Sequence, residues 1–288
     1  MTGSLTQSNG YLVRRKIKDV ILKSLIYASI LFTVGMLIWI VGDILVKGIG
    51  HISWAFVTNA PNDPIQGVFP MIVSTLYLVG LGLVIACPIG IFSAIFLTEY
   101  ARQGKIVKII RFATESLAGI PSIVYGLFGF LFFVTTLKWG WTIIAGACTV
   151  SIMILPTVVR ATEEAIKSVP DTYREASLGL GASKLRTIFK VVLPSALPGI
   201  LSAVILSMGR IVGETAAIIL TMGSDYGIPK GINRPGCTLS VFLYKSAKEM
   251  GAEPVVFATA TVLILTVLVL NTLANLASKY ISRNGGNG

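Results

Sequence analysis

Two ionisable residues, Arg210 and Glu214, stand inside the otherwise apolar run Val192–Gly223. An arginine at the centre of a bilayer costs about +2.5 to +3.5 kcal/mol on insertion scales, so such a residue is a functional hypothesis by default. Spaced i and i+4 on a helix, the two side chains share a face and can neutralise one another. One reading is an internal salt bridge between helices, although an apolar replacement of such a pair would fold at least as well. The other gives Arg210, with its planar fork of donors, to a tetrahedral oxyanion, while Glu214 balances charge or accepts a proton from a hydrogen-bearing anion. Ser207 and Thr221 fall on the same stripe, Thr215 adds a hydroxyl beside it, and Gly209, Gly213 and Ala217 form a small-residue row that lets a neighbouring backbone approach. A second constellation is Glu175-Ala176-Ser177 with Gly181: an anionic contact, two small residues that allow close helix approach, and a residue that permits a sharp turn. No catalytic or metal-binding set is expected, because His51 is alone and Cys87, Cys148 and Cys237 are scattered, two of them within apolar runs.

The elements that must carry these residues are membrane helices. Of 288 residues, 54% are apolar and 13% charged, well outside the usual soluble balance. The formal charge of +11 could suggest nucleic acid, but a DNA-binding domain does not spend most of its length on apolar runs, so the charge reads as a topology signal. A bilayer core of about 30 Å needs roughly 20 apolar residues of helix. Six runs qualify: Leu25–Val46, Pro70–Leu97, Phe112–Thr136, Trp141–Val159, Val192–Gly223 and Val255–Ala277. They are apolar on every face and too long for barrel strands, which predicts an all-α polytopic protein. With the N-terminus inside, 17 Lys and Arg fall in inner segments and 6 in outer ones, which places both termini in the cytoplasm. Trp54, Trp139 and Trp141 then sit near the outer interface. The first run is too long for a signal-peptide core and lacks a small-x-small cleavage pattern, so it is expected to be an uncleaved helix. Pro88, with Gly80, Gly82 and Gly90, should kink the second helix and Pro121 the third, while Glu115 reads as a snorkelling or capping group. In the outer loop, Thr238–Met250 has apolar residues at helical spacing and reads as a gate or binding-protein contact, or as a helix lying on the membrane surface.

The inner loop Arg160–Val191 should form short helices, broken at Pro170-Asp171 and ended by Gly181. Its Glu175-Ala176-Ser177, three residues, Gly181, nine residues, then Val191-Val192-Leu193-Pro194 resembles the EAA motif of ABC-importer permeases. Ser177 replaces an alanine and Val191 an isoleucine. The resemblance implies that Glu175, Ala176, Ser177 and Gly181 dock into a cytoplasmic ATPase subunit. No G-x-x-x-x-G-K-[ST] occurs, so ATP and Mg are expected in partner subunits, with no cofactor in this chain.

Arg210-Ile-Val-Gly-Glu214-Thr215-Ala216, together with Gly119-Ile-Pro121-Ser122-Ile-Val-Tyr125-Gly126-Leu, is similar to the phosphate-specific transport permeases, and to their A-type rather than C-type subunit. The resemblance spans residues 70–278. It implies the type I importer (MetI-like) transmembrane fold in a bacterial or archaeal cytoplasmic membrane. The implied partners are a homologous C-type permease, two cytoplasmic ATPases, an extracytoplasmic phosphate-binding protein and membrane lipid, with no nucleic acid. The implied path carries phosphate past Arg210, Glu214, Ser207 and Thr215. On this reading residues 1–69 hold an inner N-terminal segment, the first helix and an outer loop; 70–278 form the permease domain with coupling loop 160–191; and 279–288 are a tail. The alternatives are a permease for another oxyanion or polar solute and, from a different class, an ion-coupled secondary transporter, which would call for an inverted repeat that the sequence does not display.

Overall fold

The computed structural model describes residues 9–61, 67–250 and 253–285. The last three residues of the expected tail, part of the first outer loop and two residues of the second lie outside them. The described residues are helical with no strand, as backbone in lipid requires, since a helix satisfies its own N–H and C=O groups.

The elements run α1 (Asn9–Ile49), α2 (Trp54–Thr58), α3 (Phe69–Ile95), α4 (Lys105–Ala118), α5 (Ser122–Gly129), α6 (Ile143–Lys167), α7 (Asp171–Gly179), α8 (Lys184–Thr187), α9 (Leu193–Gly213), α10 (Ala216–Thr221), α11 (Leu239–Lys245) and α12 (Glu253–Gly285). Wider π-helical turns extend α3 through Tyr100, α5 through Thr136, α8 through Val192 and α11 through Met250. Among the described residues five helices are long and apolar enough to cross a membrane, and a sixth span exists if the pair α4 and α5 is counted as one.

In that sixth span, expected over Phe112–Thr136 with a kink at Pro121, the kink is a full break. The span bends by 98° between Ala118 and Ser122. Pro121 has no N–H and disfavours helix at the residue before it, so Gly119-Ile120-Pro121 stops α4. The Tyr125 hydroxyl donates to the freed Leu117 carbonyl at 2.8 Å, which satisfies the break from within. The fifth run is broken as well, at Gly213.

The core is built by α3, α6 and α9, with α10 and α11 inserted between them around Met71, Leu78, Met153, Ile154, Ile211, Met222 and Leu239. Small residues permit the close approach. A Cβ on Gly126 would meet the Ala217 backbone at 2.7 Å, and one on Gly129 would collide with Thr149 Oγ1, so α5 lies directly against α10 and α6. Ser151 Oγ donates to the Gly82 carbonyl at 3.0 Å, which ties α6 to α3. By contrast, α1 packs near its end, where Thr261 Oγ1 donates to the Ile44 carbonyl and Gly48 abuts Phe257. Residues such as Leu31 and Phe32 on α1 are more than 70% exposed, an apolar surface that suits lipid or a partner.

Segments expected on one side of the membrane do meet. Lys184 stacks over the Tyr100 ring and Arg111 pairs with Glu163 on the basic side. On the opposite side Ile143 and Ile144 donate to the carbonyls of Arg234 and Ile232. The first part of the segment Thr238–Met250 is packed into the core, and Tyr244, Ala247 and Lys248 are exposed. Leu239, Ser240, Val241 and Phe242 are buried, and Leu239 N donates to Thr75 Oγ1 at 3.0 Å. Cys237, just before α11, is 1% exposed, and burial pushes its thiol up to about 12, with Lys245 opposing and Asp225 adding to the shift. A neutral maleimide at pH 7 is therefore expected to leave Cys237 unmodified in the folded protein and to label it after unfolding in detergent, as read by peptide mass.

Candidate functional site

Arg210 lies on the last turn of α9 and is exposed to a cleft between α6, α9 and α12 of about 610 Å³. Thr157, Ser202, Gly209, Arg210, Asn271 and Asn275 line it, with Ile205 and Leu206. At about 1.5 Å per residue, Thr157 is about 21 Å from the start of α6 at Ile143 and about 15 Å from its end at Lys167, close to the inner end of the apolar run Trp141–Val159. Arg210 Nη1 donates to Thr157 Oγ1 at 3.3 Å. The guanidinium carries five N–H donors and has no carboxylate within salt-bridge distance among the described residues.

The expected Arg210–Glu214 pair is absent, and the reason is local. The helix ends at Gly213, and Glu214 is extended (φ −72°, ψ 131°), so the i,i+4 relation does not hold. Glu214 Oε1 instead accepts from Ala217 N at 3.1 Å, at the positive N-terminal end of α10, and its backbone carbonyl accepts from Ser240 Oγ at 2.7 Å. The carboxylate holds the break in the span.

The other two expected path residues are not at the cleft either. Ser207 is fully buried and donates to the Ala203 carbonyl on its own helix at 2.9 Å. Thr215 lines a separate cleft of about 480 Å³ on the opposite side from the basic face, with Ile123, Tyr244, Lys245 and Lys248. Gly209 and Gly213 have open space where a Cβ would be, so their row is unfilled within this chain.

Residues missed in the sequence complete the basic side. Glu163, 5% exposed, takes Arg111 Nε at 3.1 Å and Lys167 Nζ at 2.8 Å. Glu115 pairs with Arg160 at 3.4 Å rather than capping a helix, and both side chains are exposed. These groups line a cleft of about 320 Å³ that also reaches Thr157, so the two clefts meet at that residue. Only the i,i+4 spacing of Glu163 and Lys167 was visible in the sequence.

The loop 160–191 folds as short helices, with Gly181 at φ +84° closing α7. Gly181 N donates to the Leu178 carbonyl and Ala182 N to the Ser177 carbonyl, the Schellman arrangement that favours glycine at this position. Ser177 has a role that alanine could not fill, because its hydroxyl and that of Thr187 share a hydrogen bond of 2.9 Å that joins α7 to α8. Glu175 and Ala176 are exposed, beside Tyr173, Leu178 and a Leu180 that is 90% exposed. Arg174, unremarked in the sequence, is the clasp. It donates to Glu99 Oε1 at 2.9 and 3.2 Å, to the carbonyls of Ile166 and Val169, and to Asp171 Oδ1. It thus fastens α7 to the C-terminal end of α6 and to the turn that ends α3.

Known proteins share both sequence and shape. The chain is 33% identical over 280 residues to the probable ABC transporter permease protein YqgI of Bacillus subtilis, covering 91% of this chain and 95% of that one. It is 36% identical over 267 residues to the phosphate transport system permease protein PstA of Yersinia pestis, covering 90% of each. Among solved structures, a bacterial alginate ABC transporter superposes with a TM-score of 0.70 at 16% identity over 93% of this chain and 97% of that one. The MetNI methionine ABC transporter in an inward-facing form superposes with 0.55 at 22% identity over 76% of this chain and 94% of that one. These structures share the type I importer permease fold. The model of the binding-protein-dependent transport system inner membrane component matches residues 86–284, and with relatives of this identity along nearly the whole length the chain belongs to that family of multi-pass inner-membrane ABC importer permeases.

Proposed function

We propose that the chain is the A-type permease subunit of an ATP-driven importer that carries inorganic phosphate into the cell. The observation that carries this reading is an arginine with no carboxylate partner among the described residues, facing a cleft between three spanning helices. An uncompensated cation within a span is costly unless an anion visits it. The phosphate permeases among the relatives supply the substrate class. The basic side faces the cytoplasm, with both termini there, and the partners are a homologous C-type permease, two ATPases and an extracytoplasmic phosphate-binding protein. Residues 70–278 act as the permease domain and α1 as an added anchor.

The exposed face around Glu175, Ala176, Leu178 and Leu180 receives the ATPase. Movement there passes through Arg174 to the ends of α6 and α3, the helices against which α9 packs. Rocking of these helices opens the Arg210 cleft to alternate sides. ATP and Mg stay with the ATPase subunits.

The test is radiolabelled phosphate uptake at low external phosphate in cells lacking this chain and complemented with it, with sulfate and molybdate as competitors. Restored uptake that unlabelled phosphate alone suppresses is the expected result. Phosphate uptake that never depended on the chain overturns the substrate assignment.

A further inference from the structure

Opposite Arg210, the last helix offers two carboxamides, Asn271 and Asn275, one turn apart on the face that lines the cleft. Polar side chains within a span are expensive and almost always face the bundle interior or a water-filled cavity. The Asn271 Oδ1 atom is shut off from solvent and has no hydrogen-bond partner among the described residues. A buried carbonyl left this way costs about 1–3 kcal/mol, a cost that packing alone gives no reason to keep. Across the cleft, the guanidinium of Arg210 has one hydrogen bond among the described residues, to Thr157, and Ser202 Oγ donates to the Pro198 carbonyl on its own helix.

Resting on the phosphate reading above, we propose that Asn271 and Asn275 are anion-binding residues of the translocation path and form a neutral hydrogen-bonding face opposite the Arg210 charge. The division of labour follows from what a hydrogen-bearing tetrahedral anion needs. Its charged oxygens require donors, which Arg210, the Asn NH₂ groups and the Thr157 hydroxyl supply. Its O–H requires an acceptor, and Glu214, committed to the end of α10, is outside the cleft. A carboxamide presents an acceptor and two donors, and rotation about its Cβ–Cγ bond exchanges them between wall and cleft. Being neutral, it accepts the proton-bearing oxygen without cancelling the charge of Arg210, as a carboxylate would. A fully ionised anion gains nothing from the acceptor.

The experiment uses the complete transporter in cells. Asn271→Leu and Asn275→Leu keep the branched heavy-atom skeleton and remove the amide; for Asn271→Leu the initial rate of radiolabelled phosphate uptake should fall roughly tenfold, the scale of a lost hydrogen bond to a charged group. Co-purification of the ATPase with the variant checks assembly. If Asn271→Leu fails to assemble, Asn275→Cys in a chain with Cys87, Cys148 and Cys237 replaced by serine takes its place. A small anionic thiosulfonate should label it, and inorganic phosphate should slow that labelling. Uptake within about twofold of wild type in both leucine variants, or labelling indifferent to phosphate, overturns the assignment, because a hydrogen bond that matters costs more than that. A wild type that moves no phosphate overturns the phosphate reading and this assignment with it, whereas wild-type uptake that survives both leucine changes overturns this assignment alone.

Discussion

Arg210→Gln should lower phosphate uptake by roughly a hundredfold, or about 2.7 kcal/mol of lost transition-state stabilisation, while the permease still reaches the membrane and retains its ATPase partner. The geometry separates these two consequences. Were Arg210 tied to Glu214, its removal would strand a buried carboxylate and weaken the fold. Here Glu214 is held by Ala217 N and the break at Gly213, and the side-chain hydrogen bond of Arg210 among the described residues is to Thr157. Removing an uncompensated charge from the bilayer interior leaves the remaining packing intact. Arg210→Lys should recover only part of the rate, because an ammonium keeps the charge and loses the planar fork. Glu214→Gln keeps an oxygen acceptor for Ala217 N and should cost less than Arg210→Gln. Uptake rates measured with equal amounts of assembled complex provide the comparison, and a fully active Arg210→Gln protein would return this residue to a packing role.

A second large effect is expected at the clasp. Arg174→Ala removes donors from Glu99, from Asp171 and from two carbonyls at the end of α6. Arg174 and Glu99 are 17% and 10% exposed at the side chain, so breaking the pair leaves a largely buried carboxylate unpaired, a class of change that costs about 3–5 kcal/mol. The cost falls on the junction between α7 and the spans, away from the Arg210 cleft. Phosphate uptake should therefore drop at least about tenfold, at one lost tenfold per 1.4 kcal/mol transmitted, and ATP hydrolysis should lose its dependence on substrate. Arg174→Lys should not rescue, since a single ammonium cannot serve Glu99, Ile166 and Val169 at once. Uptake and ATPase activity measured together decide the matter: wild-type coupling in Arg174→Ala would remove the residue from the transmission route.

The apolar runs, their number and the asymmetry of Lys and Arg were legible in the sequence because they reflect a solvent constraint acting residue by residue: about 20 apolar residues cross a bilayer in any fold. The fold of loop 160–191 was legible for a related reason, since its turn chemistry is local. Gly181 adopts the positive φ that its position after α7 demands, and Pro170 and Gly181 bound the helix as their types require. What escaped was decided by contacts distant in sequence. Glu163 and Arg111 are 52 residues apart, Arg174 and Glu99 are 75 apart, and no periodicity links such positions.

The break in the fifth run shows the same division within one helix. Helical spacing alone places Glu214 beneath Arg210, and it would be so had α9 continued. The chain leaves the helix at Gly213 because α11 packs into the core and Ser240 offers a hydroxyl to the freed Glu214 carbonyl, while the carboxylate serves α10. The sequence by itself determined that a charge sits in an apolar run and that a glycine-closed turn ends the helix that carries Glu175. Only the tertiary structure decided that the charge has no carboxylate partner among the described residues and that it shares a cleft with Asn271 and Asn275, because inside lipid each polar group must find its partner from whichever helix packing brings near.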